Sequence, residues 1–200
     1  MPPSFDEQQY WHERFKTETS FEWLISSEAF LSILEPHLER LHKSSRILQV
    51  GFGTSDLQNH LRARGFNDIL NIDYEPLAIE HGLKAEQEAF GDVRMRYAVA
   101  DATQLESFPE QYDLVIDKST VDAISCGGQE AFSRMFHGVK NCLARGGFWL
   151  SLSYSSSRFA VDDLPFDVEV IERIPTSKAK TTDPDIFYYC YLLRPKHGRP

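Results

Sequence analysis

Apolar residues recur at helical spacing within the first 45 residues of the chain. They stand three or four positions apart, a spacing that predicts an amphipathic helix. The positions are Phe30, Ile33, Leu34, Leu38 and Leu41. Pro36 interrupts this pattern and predicts a kink or the start of a second helix, because proline lacks the backbone donor of a helical hydrogen bond. Residues 1–45 are therefore expected to form a mostly helical segment, here called the leader.

Short apolar runs follow the leader and predict seven β-strands. The runs cover residues 47–50, 68–73, 93–99, 112–117, 148–154, 166–174 and 186–193. Helical segments separate most of the first five runs, which is typical of a parallel sheet with crossover helices. No helix lies between the last two runs, so they must form an antiparallel hairpin. The predicted fold class is α/β, a Rossmann-like and mostly parallel sheet with an antiparallel C-terminal hairpin.

Length and composition suit one globular domain. The chain has 200 residues, of which 42% are hydrophobic and 26% charged, so it can bury a large core. We expect a monomer with a single domain spanning residues 1–200. Its parts are the leader at 1–45, a ligand-binding core at 46–154 and the C-terminal hairpin region at 155–200.

The acidic balance of the chain limits its classes of partner. A formal net charge of −9 argues against general nucleic-acid binding, which needs clustered Lys and Arg. It would suit a basic partner, although an acidic solvated surface is the simpler interpretation. No apolar stretch approaches 18 residues, and the first residues carry no targeting pattern. We therefore expect no membrane span and a cytoplasmic location.

The cysteines give no sign of metal or redox chemistry. Cys126, Cys142 and Cys190 lie far apart in the sequence, and no C-x-x-C spacing occurs. We therefore expect reduced thiols and no metal site.

The stretch 46–57 has the pattern of a nucleotide-type binding turn. Its apolar strand runs into Gly51 and Gly53, which carry no Cβ and let a ligand approach the main chain. Three polar residues follow that are good helix caps, and the start of a helix offers unpaired N–H groups to a polar ligand. Asp56 replaces the third glycine of a G-x-G-x-x-G turn, so this stretch alone does not select the ligand.

Two of the predicted strands end in an acidic residue. Asp73 lies about 20 residues past the glycine turn, where an acid accepts hydrogen bonds from a ribose diol, and Tyr74 follows it. Capping of the next helix is a second interpretation, and the two roles can coexist. Asp101, which precedes Ala102, is placed either to face an exocyclic amine such as that of adenine or simply to end its strand.

Two further acids flank the loop after the fourth strand, at the sheet edge where doubly wound folds place their chemistry. Asp117 and Asp122 are candidates for orienting an acceptor group during catalysis. Ending the strand, for Asp117, and capping the following turn, for Asp122, are interpretations at least as good.

Three features decide between a nicotinamide dehydrogenase and a class I methyltransferase. Two glycines suffice for a ligand without a pyrophosphate group. A single adenosyl ligand needs one acid for its ribose and a second polar site for its adenine, which Asp73 and Asp101 supply. The C-terminal hairpin suits a methyltransferase sheet, and no hydride-transfer machinery is evident. The sequence therefore favours S-adenosylmethionine as the cofactor.

Six segments in combination resemble a known family. They are YWHERF, FEWL, RILQVGFGTSDL, NIDY, VADA and IDKSTVDAI. Together they are similar to the eukaryotic methyltransferase-like group that includes the lysine methyltransferases of translation elongation factor 1-alpha. The similarity covers residues 10–125. Phe52, Thr54 and Ser119 depart from it, because that group commonly has Cys, Asn and Gly there.

The resemblance implies an S-adenosylmethionine-dependent methyltransferase with a seven-stranded sheet. It implies that the leader aromatics Trp11, Phe15 and Trp23 enclose the cofactor, whereas the pattern alone favours simple docking of the leader. It also implies further contacts with the cofactor. These are at Gly51, Asp73, Tyr74, Asp101, Ala102 and Lys118.

The favoured acceptor is a protein lysine, on a substrate such as elongation factor 1-alpha. A small-molecule acceptor stays open, because the same cofactor pocket would serve it. So does a non-catalytic relative that binds cofactor or a partner. A shallow acidic groove would favour the protein lysine, and a closed apolar cavity would favour the small molecule.

Overall fold

The computed structural model describes residues 4–108, 110–178, 180 and 182–196. The helices are α1 (Gln8–Phe15), α2 (Ser27–Leu38), α3 (Leu57–Ala63), α4 (Pro76–Phe90), α5 (Thr120–Cys126) and α6 (Gln129–Cys142), with a 3-10 turn at Leu105–Ser107. The strands are β1 (Ile47–Val50), β2 (Ile69–Asp73), β3 (Arg96–Val99), β4 (Tyr112–Lys118), β5 (Leu143–Ser153), β6 (Phe166–Pro175) and β7 (Phe187–Pro195).

The strands form one seven-stranded sheet in the order β3-β2-β1-β4-β5-β7-β6. The first five strands run parallel, whereas β7 is antiparallel to both β5 and β6. The predicted Rossmann-like fold with a mixed sheet is therefore confirmed. The strand order reverses between β1 and β4, and a crevice for a ligand forms at the carboxyl ends of the strands beside such a reversal.

Apolar side chains cover both faces of the sheet. On one face, Phe30 and Leu34 of α2 pack with Leu57 and Leu61 of α3. On the other face, α6 packs against Trp149 of β5. Because the central strands are buried on both sides, they read as continuous apolar runs rather than as alternating patterns. This explains why their existence could be predicted from short windows.

The structure differs from the predictions at Pro36 and at the start of β5. α2 continues through Pro36 to Leu38, so no second helix begins at the proline, although Pro36 has no N–H to donate to the Ser32 carbonyl. α6 ends at Cys142, so β5 begins ahead of the predicted run at 148–154. β5 starts directly afterwards and bulges opposite Tyr112. Gly147 lies close to Tyr112 there, because a Cβ added to Gly147 would lie 2.8 Å from the Tyr112 carbonyl oxygen.

Within the described ranges, every helix is too short or too polar to span a membrane.

Candidate active site

A cavity of about 560 Å³ lies at the carboxyl ends of β1 to β5, beneath the leader. The ends of β2 and β3 form one side of it and the ends of β4 and β5 the other, because β1 lies between them. All the predicted site residues except Asp117 line this cavity. They are Trp11, Phe15, Trp23, Gly51, Gly53, Asp73, Tyr74, Asp101, Ala102, Lys118 and Asp122.

The glycine turn after β1 forms the floor of the cavity. Gly51 and Gly53 have φ values of +59° and +55°, a left-handed conformation that glycine adopts without steric cost. A Cβ on Gly51 would clash with the side chain of Thr120, and one on Gly53 would lie 3.3 Å from the ring of Phe15. Both α1 and α5 therefore approach the turn closely, which is possible because Gly51 and Gly53 have no side chains.

Asp73 ends β2 with its carboxylate held by the neighbouring backbone. One oxygen accepts from the N–H of Gly53 at 2.9 Å and the other from the N–H of Glu75 at 3.0 Å. Burial raises the pKa of Asp73 to about 6, although these N–H groups oppose the shift. Each carboxylate oxygen keeps capacity for one further donor, so the group can accept two hydrogen bonds from a diol.

Asp101 follows the end of β3 and lines the same cavity as Asp73. Its carboxylate accepts from the N–H and hydroxyl of Thr103, both at 2.8 Å, and from Gln104 Nε2 at 2.9 Å. Ala102 follows it and is buried. The structure places this strand end at the same cavity as Asp73, as predicted. The Asp101 carboxylate already accepts three hydrogen bonds from Thr103 and Gln104.

The leader aromatics form a packed cluster above the turn. The ring of Trp11 lies 5.6 Å from that of Phe15 and 5.8 Å from that of Trp23, measured between centroids. Arg14 places its guanidinium 4.6 Å above the Trp23 ring, and Trp11 Nε1 donates to the carbonyl of Phe5 at 2.7 Å. The aromatic side chains thus pack the leader and line the cavity at once, so the two interpretations of the sequence coexist.

α1 is bonded to the loop that follows β2. Gln8 Nε2 donates to the carbonyl of Tyr74 at 2.6 Å, and His12 Nδ1 lies 2.9 Å from a carboxylate oxygen of Glu75. These contacts place the start of the leader beside Asp73.

Gln49 is a cavity residue that no pattern in the sequence indicated. Its side chain is 2% exposed and its residue lines the cavity, yet Oε1 has no partner among the described residues. This acceptor can therefore take a hydrogen bond from a ligand in the cavity. With the Asp73 acceptors and the main chain of the glycine turn, it fits an amino-acid nucleoside carrying a diol and an amino group. These residues are compatible with S-adenosylmethionine.

Comparison with known proteins decides the family. A model described as a methyltransferase domain matches residues 47–147, half of the chain. Methyltransferase srdJ of Neurospora crassa is 59% identical over 199 residues, covering 97% of this chain and 85% of that protein. The chain belongs to the S-adenosylmethionine-dependent methyltransferases.

More distant matches agree in fold. EEF1A lysine methyltransferase 4 of Mus musculus is 27% identical over 167 residues, which cover 76% of this chain and 63% of that protein. The N-methyltransferase NodS from Bradyrhizobium japonicum, solved with S-adenosylhomocysteine, superposes with a TM-score of 0.71 at 15% identity. That match covers 97% of this chain and all of the other, and at such low identity it shows the shared methyltransferase fold alone.

Lys118 of this methyltransferase contacts the leader. Its Nζ bonds the carboxylate of Glu22 and the carbonyls of Trp23 and Ile25, the latter two at 3.1 Å. Burial lowers the pKa of Lys118, and Glu22 opposes the shift. The side chain lines the cavity, but its hydrogen-bond partners among the described residues all belong to the leader.

Asp117 is placed behind the cavity wall. Its residue is 0% exposed; one carboxylate oxygen accepts from Trp149 Nε1 at 2.9 Å and the other from the N–H of Val121 at 3.1 Å. The structure therefore does not bring Asp117 to an acceptor, because the carboxylate instead fixes the start of α5 to the sheet. Of the two sequence interpretations, the structural one describes its position.

The buried carboxyl of Asp117 makes the stability of the methyltransferase depend on pH. Burial raises its pKa from an ordinary 3.8 to about 7, so the folded chain binds more protons than the unfolded chain between these values. The free energy of unfolding is expected to fall as pH rises through this window, by up to ~1.4 kcal/mol per pH unit. Asp117→Asn should flatten the slope between about pH 6 and 7, above the pKa of Asp73, as measured by urea unfolding.

An asparagine at this position meets two N–H donors with a single oxygen, so Asp117→Asn should also be less stable than the chain with a protonated Asp117, by an amount that does not change with pH. That uniform loss displaces the curve without changing its slope. Parallel stability curves for the variant and the wild type would contradict the raised pKa.

Asp122 lines the cavity with its acceptor positions filled. Arg158 Nε and Nη2 each lie 2.9 Å from one carboxylate oxygen, which also accepts from the hydroxyl of Ser153. The other oxygen accepts from the hydroxyl of Ser119 and the N–H of Tyr154, both at 3.1 Å. Burial raises the pKa of Asp122, while Ser153 and Arg158 oppose the shift. The carboxylate therefore ties α5 to the end of β5.

Two cavity residues adopt a backbone conformation that their side chains disfavour. Leu24 and Ser119 have φ values of +65° and +69°. Ser119 stands where the resembling group has glycine, so the structure explains that preference: the position after β4 is left-handed. No pattern in the sequence indicated Leu24, because a left-handed leucine is rare and is held there by its surroundings.

No group of three or more potential metal ligands occurs within the described part of the chain.

Proposed function

We propose that this methyltransferase modifies a small molecule whose acceptor atom is presented against an apolar wall. The observation that carries the proposal is the state of the two acids near the β4 end. Asp117 is buried away from the cavity, and Asp122 is paired with Arg158. Neither is free to attract a lysine ammonium, since each already serves several donors.

The wall on the β4 and β5 side of the cavity supports the same proposal. Phe21, Trp23, Leu24 and Ile124 contribute apolar surface, and Tyr154 adds an aromatic ring at the end of β5. The leader covers this part of the cavity, as an enclosed site for a small molecule requires. A largely apolar acceptor would bury its surface here without leaving a charge unpaired.

The chain's own residues supply binding and orientation. S-adenosylmethionine provides an electrophilic methyl group when it is bound. Asp73 and Gln49 would hold its polar ends, the glycine turn would let it approach the main chain, and the leader would exclude water. Alignment of two reactants in this way lowers a barrier by about 7 to 11 kcal/mol in well-oriented intramolecular reactions. The arrangement therefore favours catalysis by proximity.

A protein lysine is the second candidate acceptor. Several curated relatives at 27–30% identity are named as methyltransferases of eEF1A lysines, for example EEF1A lysine methyltransferase 4. The leader and the DKSTVDAI loop carry the resemblance, and the net charge of −9 would suit a basic partner. A lysine would have to enter as the neutral amine, since an ammonium has no lone pair with which to attack the methyl group.

One labelling experiment distinguishes the two acceptors. The purified chain is incubated with tritiated S-adenosylmethionine and a cell extract, which is then separated into protein and low-mass fractions. Label in the low-mass fraction is expected, and it should be absent with the Asp73→Ala variant. Label in a protein band of the size of elongation factor 1-alpha would overturn the small-molecule proposal in favour of the lysine.

A further inference from the structure

The Lys118 side chain reaches into the leader from the end of β4. Its ammonium has three donors, and the structure gives it three acceptors: the Glu22 carboxylate and the carbonyls of Trp23 and Ile25. The side chain is 5% exposed. We call these four residues the Lys118 cluster. A buried ammonium satisfied in this way has no donor left for a ligand in the cavity.

Leu24 lies between the two carbonyls of this cluster. Its left-handed conformation turns the chain so that the carbonyls of Trp23 and Ile25 both point at one nitrogen. A leucine rarely adopts such a conformation, which persists only where the surroundings hold it. The N–H of Ile25 donates to the carbonyl of Trp23 at 2.8 Å across Leu24, and the bonds to Lys118 hold the same two carbonyls from outside this turn.

Glu22 joins the same cluster to the floor of the cavity. One carboxylate oxygen accepts from the hydroxyls of Ser27 and Ser55, at 2.7 Å and 3.1 Å, and from the N–H of Asp56 at 3.3 Å. The other oxygen bonds Lys118. One carboxylate thus connects the leader, the segment after the glycine turn and the end of β4.

We propose that Lys118 is a positioning residue, which fixes the leader loop 22–25 over the cofactor cavity and does not itself bind the cofactor. Because Trp23 lies in this loop and packs on Trp11, the cluster also orders the aromatic cover. The inference concerns the cofactor end of the site and is independent of which acceptor is methylated.

Lys118→Met and Glu22→Gln test the proposal together. Removing one partner of a buried ion pair is strongly unfavourable, so each variant should weaken binding of S-adenosylhomocysteine by at least about tenfold in calorimetry. Each should also speed amide hydrogen exchange of residues 21–26 by at least about tenfold in the ligand-free protein. Because both variants break the same contact, the double variant should bind no more weakly than the weaker single variant.

The control is Lys16→Met, which removes a leader lysine from an exposed pair with Glu13. It should leave both binding and exchange unchanged, since exposed pairs contribute little. A cofactor-binding Lys118 gives a different pattern, in which Lys118→Met weakens binding, leader exchange stays slow and Glu22→Gln has no effect. That outcome overturns the proposal.

Glu22→Gln provides a second test in case Lys118→Met does not fold. The Glu22 side chain is 26% exposed, and as an amide it keeps an oxygen for its serine partners, so this variant is expected to fold with a lowered thermal midpoint. If Lys118→Met does not fold, Glu22→Gln decides alone. Unchanged exchange and affinity in that variant would overturn the assignment.

Discussion

Replacement of Gly51 by alanine is expected to weaken cofactor binding by about a hundredfold or more. The added Cβ would lie 2.9 Å from the Cβ of Thr120 and closer still to its two branch atoms. Thr120 cannot move aside easily, because its hydroxyl donates to the carbonyls of Val50 and Gly51. The turn or α5 must therefore shift. Calorimetry with S-adenosylhomocysteine should measure this loss, roughly 2.8 kcal/mol of binding free energy, because the shifted turn no longer contacts the ligand as it does in the wild type.

Gly91→Ala is the matched control for this variant. Gly91 also has a positive φ, +76°, but a Cβ there would meet nothing within 4 Å. It therefore carries the backbone cost of alanine, about 1 kcal/mol, without the collision. Both variants carry the backbone strain of a positive φ, but only Gly51→Ala carries the clash with Thr120. The difference between their unfolding midpoints therefore measures the cost of the clash. Equal cofactor affinity in both would show that the space beside Thr120 does not matter.

Asp73→Asn is expected to weaken cofactor binding by about ten- to a hundredfold, since hydrogen bonds to a charged group contribute roughly 1.5–3 kcal/mol. The amide keeps the shape of the carboxylate but has a single acceptor oxygen for the N–H groups of Gly53 and Glu75 as well as for a diol. Calorimetric titration of both proteins with S-adenosylhomocysteine measures the difference.

The same carboxylate predicts how affinity changes with pH. Burial raises the pKa of Asp73 to about 6, so the ligand-free site loses its charge as pH falls through this value. Affinity of the wild type should therefore decline below about pH 6 by up to about tenfold per pH unit. Asp73→Asn has no such group and should show a flatter profile. A wild-type affinity that stays constant from pH 7.5 down to pH 5 would rule out the charged acceptor.

The parts of the site that lie at strand ends could be read from the sequence. An apolar run, a glycine turn and an acid after the next run specify a strand, a close approach and a carboxylate at one edge of a sheet. Gly51, Asp73 and Asp101 therefore fell into one cavity as predicted. The resemblance added the aromatic leader, whose packing has no local pattern of its own. The cytoplasmic location and the monomeric state stay predictions.

Contacts between distant segments could not be predicted from the sequence. Glu22 looks like any polar residue of an irregular loop, yet it bonds Lys118, which is 96 positions further along. Gln49 sits in an apolar run and reads as an exposed strand residue, although it is buried beside the cavity. For Asp117 and Asp122 the sequence left two interpretations open for the same reason. The sequence places an acid at a strand end, but it does not say which donors the fold brings to it.

The order of strands at the far side of the sheet has a consequence for synthesis of the chain. β7 is the last strand in sequence, but it lies between β5 and β6. Until residues 187–195 have left the ribosome, β5 can pair with β4, but its other edge stays unpaired and β6 has no neighbour through which to join the sheet. An unpaired apolar edge of this kind recruits other chains. A nascent or shortened chain that stops before Phe187 is therefore expected to need a chaperone and to aggregate without one.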